Sequence, residues 1–345
     1  MSKLLSILIP VYTESDHFLN RLLNTIAMQQ HINFSDIEVL VESDGDEKIY
    51  EESFFTPYPF DISYSVGRKR GVSATRNDLL DKAIGEYVIW CDADDYWCST
   101  FGLYVILCEI CKEKFDVLKC DFVQETPDPN NKEGLIFPVL TGDINNPYVH
   151  NKTYRREFLL SNEIRFCEKS NIHEDTAIYT LSSVYTKNIR YNQSATYCWS
   201  YNADSICRND PYYIQHTLKY FIMTNSYIIE HLLKHGKDDN ASQISVGCLI
   251  DSYYYLNDPK WIEKSNNEYL SEIEGYIKHF LTIYKEHIDN FDNDIKQQII
   301  KGKKIWHTQQ IGLGFEKITF DSWLKHIEED AEPIDFHVNE LFDKA

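Results

Sequence analysis

Apolar runs that alternate with helical patterns fill about the first 125 residues, and this order limits the possible folds most strongly. Ser6–Val11 is a dense apolar run, which predicts a central strand buried on both faces. Phe18–Ile26 then carries apolar residues at helical spacing, behind the candidate caps Ser15 and Asp16. Strands and helices in this order predict an α/β fold with a mostly parallel sheet, whose ligand site lies at the carboxyl ends of the strands.

The same alternation continues and then stops. Further strands are predicted at Ile37–Val41, Ile62–Val66, Tyr87–Cys91 and Val117–Val123, and a helix at Ser73–Ile84. Helical stripes alone recur later, at Ile214–Leu233, Ile244–Leu256, Tyr269–Ile288 and Ile295–Ile305. We therefore predict an α/β domain over residues 1–210 and a helical C-terminal region over 211–345.

The overall charge argues against a nucleic-acid-binding module. Lys and Arg number 34 against 54 Asp and Glu, a formal net charge of −20, so the chain lacks the basic balance typical of proteins that follow a phosphate backbone. The nine cysteines are scattered, and the isolated pair Cys108 and Cys111 lacks the second half of a zinc site. Without a signal peptide or a spanning segment, the sequence predicts a reduced, soluble, cytoplasmic protein.

Three carboxylates follow the apolar strand Tyr87–Cys91, in the segment Asp92-Ala93-Asp94-Asp95. Such close carboxylates repel one another unless a positive charge lies among them. Hard divalent cations prefer oxygen ligands, and Mg²⁺ typically takes one or two carboxylates together with phosphate oxygens. The segment is thus a candidate metal site, while a solvated acidic turn is the alternative interpretation.

Several motifs occur in one order along the chain. They are Pro10-Val11-Tyr12, Ser43-Asp44-Gly45-Asp46, Gly71-Val72-Ser73-Ala74-Thr75-Arg76-Asn77, Asp92-Ala93-Asp94-Asp95, the segment from Asn151 to Leu159, and Glu174-Asp175-Thr176. With these motifs the chain resembles glycosyltransferase family 2, whose members are inverting, nucleotide-sugar-dependent enzymes with the GT-A fold. The resemblance covers residues 4–208 and implies a nucleotide-sugar-binding part at about 1–98 and an acceptor half at about 99–210.

Two features depart from the family pattern. Thr13 stands where the family usually has Asn, and the turn after the second strand differs from the commoner Asp-Asp-Gly-Ser. The helical region 211–345 matches no part of the family, and we expect it to bind the acceptor or to form a homo-oligomer.

The resemblance also implies roles for single residues. Donor binding falls to Pro10, Val11, Tyr12, Glu14, Asp44, Arg68, Arg76, Asp92 and Arg208. Asp94, with Asp92, would hold Mn²⁺ or Mg²⁺ against the diphosphate, and Asp175 would be the catalytic base, with Glu174 beside it. His173 and Trp199, the latter in an aromatic strand with Tyr197, would contact the acceptor.

Several of these residues also have a simpler interpretation. Asp44 is also an ordinary turn residue before Gly45, and Arg68 belongs to a solvated basic loop. Apart from the resemblance, Glu174 and Asp175 form an acidic pair at a helix start.

The function that follows is transfer of a hexose or pentose from a UDP-sugar, or another nucleotide sugar, to an acceptor hydroxyl. A glycan, a lipid-linked sugar or a cell-surface polymer is the preferred acceptor. Three alternatives stay open: the same chemistry on a hydroxylated base of phage-type DNA, a nucleotidyltransferase of related fold, and a non-catalytic sugar-binding module.

Overall fold

The computed structural model describes residues 3–142, 146–203, 205, 210, 212–258, 261, 267–308 and 318–342. The chain divides into two compact units. The first comprises the residues up to Glu168 together with Ile178–Ala203, and the second comprises Lys169–Ala177 and the described residues from 205 to 342. The predicted boundary near residue 210 lies a few residues beyond this division, and the roles of the two parts stay a prediction.

The first unit contains the strands of the described residues. They are β1 (Leu5–Val11), β2 (Ile37–Ser43), β3 (Asp61–Val66), β4 (Tyr87–Trp90), β5 (Tyr96–Trp97), β6 (Val117–Gln124), β7 (Thr126–Asp128), β8 (Asn131–Ile136), β9 (Val139–Leu140), β10 (Lys152–Arg155) and β11 (Ile189–Trp199). Every residue of β1 and β2 is buried, as expected for central strands covered on both faces.

The main sheet has the order β3-β2-β1-β4-β10-β6-β11-β5, with β9 added beside β6. The longer ladders are parallel: β1 with β2 and β4, β2 with β3, and β6 with β11. Antiparallel β10 joins β4 to β6 through two short ladders. The parallel order of β3, β2, β1 and β4 brings their carboxyl ends to one edge of the sheet, where the candidate site lies.

Five helices of the described chain accompany these strands. They are α1 (Asp16–Ala27), α2 (Val72–Lys82), α3 (Gly102–Lys112), α4 (Arg156–Ser161) and α5 (Asp175–Tyr185). The core of the first unit combines the inner residues of β1, β2 and β4 with the buried stripe of α1. Ser15 caps α1 without a side-chain hydrogen bond. Burial of the apolar stripe, rather than a strong cap, therefore fixes this helix.

The regular elements in the described part of the second unit are helices. Its helices are α6 (Tyr213–His216), α7 (Leu218–Lys234), α8 (Asp238–Leu256), α9 (Asn267–Asp289), α10 (Asn293–Trp306) and α11 (Phe320–Asp330). Helix α8 packs against α7, α9 and α10, so its side chains form the centre of this unit.

The predicted α/β fold with a parallel-dominated sheet and a C-terminal helical region is confirmed. One helix prediction is wrong in detail, because the stripe Ile214–Leu233 forms two helices that break at Thr217. The Thr217 hydroxyl donates to the carbonyl of Tyr213 (2.7 Å), a local bond that competes with helical continuation. Cys108 and Cys111 are free thiols on α3.

Among the residues that the structure describes, no helix is long and apolar enough to span a membrane.

Candidate active site

The ends of β1 and β2 lie side by side at the edge of the sheet. Pro10 pairs with Glu42 and Val11 with Ser43, and the amide of Asp44 donates to the carbonyl of Val11 (2.8 Å). The residues predicted to contact the base of the donor therefore share one short stretch of this edge.

Asp44 ties the second strand to helix α2. Its Oδ1 accepts hydrogen bonds from the amides of Arg70 (2.8 Å) and Gly71 (3.0 Å), and its Oδ2 lies 2.9 Å from the same Gly71 nitrogen. Gly71 has a φ of +95°, a conformation that glycine adopts without a steric penalty, and it directly precedes α2. The carboxylate thus satisfies amides at a helix start, which is a structural role that the sequence did not reveal.

Glu14 faces the acidic turn after β4. Its Oε2 accepts a hydrogen bond from the amide of Tyr12 (2.6 Å), while the ring of Tyr12 is 38% exposed and lies 5.0 Å from the Lys69 ammonium. Burial is the main cause that raises the pKa of Glu14, and the charges of Asp94 and Asp92 raise it further. The carboxylate of Glu14 is therefore close enough to the predicted metal ligands Asp92 and Asp94 for their charges to interact.

Arg76 and Asp92 form an ion pair at the start of this turn. The Arg76 Nη2 donates to Asp92 Oδ1 at 2.7 Å; the Arg76 side chain is 5% exposed and that of Asp92 36%. Burial raises the pKa of Asp92, but the charge and hydrogen bond of Arg76 outweigh it, so the pKa is lowered. The guanidinium lies 5.3 Å from the centre of the Phe166 ring, which fixes it from the other side.

Asp94 lies two residues beyond Asp92 in the turn and is half-buried. Burial and the charge of Asp92 raise its pKa, although a hydrogen bond from Asn202 Nδ2 (3.0 Å) opposes the rise. Arg21 holds the backbone of the turn, because its Nη2 donates to the Asp94 carbonyl (2.5 Å) and to Ser200 Oγ (2.6 Å).

Asp95 is buried and points to strand β11. Tyr197 donates its hydroxyl proton to Asp95 Oδ2 (2.6 Å) and accepts a hydrogen bond from the amide of Asp92 (3.1 Å). The amide of Ser200 donates to Asp95 Oδ1 (2.8 Å). Burial, with the charges of Asp92 and Asp94, raises the pKa of Asp95 well above its ordinary value.

The chemistry of this turn suits a divalent cation. Asp92, Asp94 and Asp95 lie close enough for their charges to act on one another, and burial strengthens that repulsion. Their oxygens are the ligands that Mg²⁺ and Mn²⁺ accept, so the residues present fit the ion that the family resemblance implies.

The segment around Asp175 belongs to the second unit. Asp175 is the first residue of α5, and the turn before it closes through bonds from the Thr176 amide to the His173 carbonyl and from the Ala177 amide to the Glu174 carbonyl, both 3.1 Å. His173 adopts a left-handed φ of +62°, which is uncommon for a residue with a Cβ atom. Its Nε2 lies 2.9 Å from Thr217 Oγ1, and burial lowers the pKa of the imidazole to about 4.

Three further residues were predicted to bind the donor or the acceptor: Arg68, Trp199 and Arg208. Arg68 is exposed and forms no hydrogen bond or ion pair within the described ranges. Trp199 ends β11 half-buried, with its ring 5.0 Å from that of Tyr148. Arg208 lies outside the described residues.

Sequence reasoning missed the residues that hold the acidic turn in place. Arg21 lies on α1, and its 4.6 Å contact with the Tyr96 ring brings it beside the turn. The structural role of Tyr197 also could not be read from its position in an aromatic strand. Both act on residues more than 70 positions away, so no local pattern marks them.

The comparisons with known proteins concern the family and the fold of the chain. The model of the family "Glycosyl transferase family 2" matches residues 6–179, about half of the chain. The minor teichoic acid biosynthesis protein GgaB of Bacillus subtilis (strain 168) is 24% identical over 321 residues, which cover 88% of this chain and 34% of GgaB. The chain thus spans about a third of the length of that relative.

Solved structures of S. aureus TarS share the fold. TarS 1-349 in complex with UDP-GlcNAc aligns with a TM-score of 0.63 at 17% identity, covering 91% of this chain and 93% of that one. TarS 1-349 in complex with UDP aligns with a TM-score of 0.61 at 18% identity, covering 92% and 94%. At these identities the similarity shows a shared fold, and the predicted GT-A architecture is confirmed.

Proposed function

The chain belongs to glycosyltransferase family 2, and from that premise we propose that it transfers a sugar from a UDP-sugar, or another nucleotide sugar, to an acceptor hydroxyl with inversion. The observation that carries the proposal is the group formed by Glu14, Asp92 and Asp94 at the carboxyl ends of β1 and β4. Such a group is suited to bind a cation and, through it, a diphosphate.

On the donor side, each residue has a distinct task. Arg76 keeps Asp92 ionised and oriented, and Asp94 presents a half-buried carboxylate in the same turn. Asp44 has lone pairs left after its amide bonds, which can accept a hydrogen bond from the ring imide of uracil. A bound Mn²⁺ or Mg²⁺ would screen the negative charge that develops on the departing nucleoside diphosphate.

On the acceptor side, we propose Asp175 as the general base. It takes the proton of the acceptor hydroxyl from about 2.6–3.2 Å while the new bond forms between that oxygen and the anomeric carbon. The bond from the anomeric carbon to the diphosphate oxygen breaks on the opposite face, and the nucleoside diphosphate leaves with the electron pair. Glu174 and His173 flank the base, and Trp199 offers an aromatic face for a sugar ring.

A cell-surface polymer of the teichoic acid type is the acceptor that we propose, because the relative GgaB is named as a minor teichoic acid biosynthesis protein. The DNA alternative has less support. DNA would need a basic surface, and two basic segments of the sequence, Arg155-Arg156 and 301–304, are partly paired: Arg155 lies 2.6 Å from Asp116 and Lys303 2.6 Å from Asp251. The family match also favours sugar transfer over nucleotidyl transfer. A cytoplasmic location and self-association through the helical unit stay predictions.

A donor panel tests the proposal. The protein is incubated with Mn²⁺ and UDP-, GDP-, CDP- or dTDP-sugars, with and without a teichoic acid extract, and nucleoside diphosphate release is measured. We expect release from one donor class that increases with the extract and falls at least about a hundredfold in Asp175→Asn, as is common when a general base is lost. No release from any donor, or equal release by Asp94→Ala and the wild type, would refute the proposal.

A further inference from the structure

A buried histidine, His150, lies against the acidic turn. His150 precedes β10, and its side chain is 5% exposed. Its Nε2 is buried and has no hydrogen-bond partner in the described part of the chain. An unpaired polar atom in a protein interior costs free energy, so a site of this kind calls for a ligand.

Aromatic rings hold the imidazole in one orientation. It stacks on Tyr197, with ring centres 5.4 Å apart at 13°, and on Tyr148, at 5.0 Å and 14°. Phe122 meets its edge at 5.1 Å and 69°, and Trp199 lies 5.6 Å away. The ring is thus fixed before any ligand arrives, which lowers the entropy lost on binding.

A nitrogen of the His150 ring lies near two carboxylates of the turn. One ligand atom each from Asp92, Asp95 and His150 lie within 4.8 Å of one another. Ligand atoms that share one metal at about 2.0–2.2 Å lie at most about 4.4 Å apart, so a small side-chain movement brings all three onto an ion.

Both carboxylates have acceptor capacity left for such an ion. Asp92 gives one oxygen to Arg76, and Asp95 accepts from the Tyr197 hydroxyl and the Ser200 amide. Two carboxylate oxygens together offer about four lone pairs, so each residue can still donate to a metal. Tyr197 contacts both the His150 ring and the Asp95 carboxylate, so it sets the spacing between these two residues.

We propose that His150 Nε2 is a metal ligand that acts with Asp92 and Asp95, so that the site prefers transition metals to Mg²⁺. The mixed nitrogen and oxygen set supports this preference, because imidazole suits transition metals such as Zn²⁺, Fe²⁺ and Ni²⁺, whereas Mg²⁺ prefers oxygen ligands alone. The inference rests on the metal dependence within the proposed function and extends it to the identity of the metal. Asp94, two residues beyond Asp92 in the same turn, is a further oxygen donor that this ion would accept.

Pulsed electron paramagnetic resonance of Mn²⁺ tests this directly. The full chain is loaded with Mn²⁺, alone and with UDP, and electron spin echo modulation reports any nitrogen bound to the metal. We expect ¹⁴N coupling in the wild type and its replacement by ¹⁵N coupling in protein grown with ¹⁵N-labelled histidine. This labelled sample needs no mutation, so the test does not depend on a variant that folds.

Two variants assign the nitrogen to one residue. His150→Phe keeps an aromatic ring in the stack but has no ligand atom, and we expect loss of the coupling and at least a tenfold weaker Mn²⁺ affinity. His17→Phe, the same change at an exposed position on α1, should leave both unchanged. Circular dichroism checks that each variant is folded.

The opposite results are equally clear. A Mn²⁺ spectrum without nitrogen coupling, coupling that persists in His150→Phe, or absence of Mn²⁺ binding in both samples would overturn the inference. Sugar release by the same wild-type sample, compared in Mg²⁺ and Mn²⁺, reports on the proposed function separately. Sugar release without nitrogen coupling would therefore refute the ligand role and leave the transferase intact.

Discussion

Because Arg76 and Asp92 form an ion pair, the effects of mutating them on the free energy of unfolding should not be additive. The pair joins a guanidinium that is 5% exposed to a carboxylate that is 36% exposed, at 2.7 Å. A charge-assisted hydrogen bond contributes about 1.5–3 kcal/mol to the free energy of unfolding. Because Asp92 is partly exposed, solvent screens the pair, and we expect a coupling energy of about 2 kcal/mol. We expect this coupling energy in a double-mutant cycle of Arg76→Met and Asp92→Asn.

The choice of substitutions isolates the pair. Met keeps the aliphatic stem of Arg76 against Phe166, and Asn keeps the shape of Asp92 without its charge. Arg76→Met alone should cost about 2–3 kcal/mol at pH 7, because it leaves a carboxylate in a partly buried site without its cation. The double variant should lose about 2 kcal/mol less than the sum of the single variants.

Urea unfolding of the four proteins, followed by tryptophan fluorescence and circular dichroism, measures the cycle. The pH dependence gives a second check. In the wild type the lowered pKa of Asp92 gives stability that is present above about 3.8 and lost as pH falls through the folded value. In Arg76→Met, burial without the cation should raise the pKa of Asp92. The difference in free energy of unfolding between the wild type and this variant should therefore shrink from pH 7 to pH 4. A coupling energy within about 0.5 kcal/mol of zero would refute the reasoning.

Three further changes probe the site and the helical unit. Tyr197→Phe removes the bond to the buried Asp95 and should destabilise the first unit by about 2–3 kcal/mol in urea unfolding; a loss below about 0.5 kcal/mol would contradict the assigned role. Asp44→Ala leaves the amide of Gly71 without its acceptor and should cost about 1–3 kcal/mol, with faster hydrogen exchange at that amide; unchanged exchange would count against it. Because burial lowers the pKa of His173 to about 4, the unfolded state binds more protons between about pH 4 and 6.5, and stability should rise with pH there by up to about 1.4 kcal/mol per unit. His173→Phe should flatten that slope, and an unchanged slope would exclude this histidine as its source.

Much of the fold could be predicted because local apolar patterns determine it. The run Ser6–Val11 became Leu5–Val11, and the run Ile37–Val41 became Ile37–Ser43, since a strand buried on both faces needs an unbroken apolar sequence. Strand β10 was not predicted, because it is short and carries charged residues such as Lys152, which is buried nonetheless. Tertiary contacts override local preference at such a position.

Part of the candidate site could likewise be predicted from the sequence, and part could not. The carboxylates at the strand ends were found from their order in the sequence, because a parallel sheet brings those ends together. Their partners were not found, since Arg21, Tyr197 and His150 come from distant segments and resemble ordinary core or surface residues in the sequence. Only the structure shows that these residues surround one acidic turn.

Equilibrium binding of UDP is the most direct test of a metal-dependent nucleotide-sugar site at the strand ends. Titration calorimetry compares the wild type, Asp94→Asn and the control Asp61→Asn, which makes the same change at the amino end of β3. The account predicts UDP binding that requires Mn²⁺, weakens at least tenfold in Asp94→Asn and is unchanged in Asp61→Asn. Binding that is equally strong without the metal, or equally weakened by both substitutions, would contradict it.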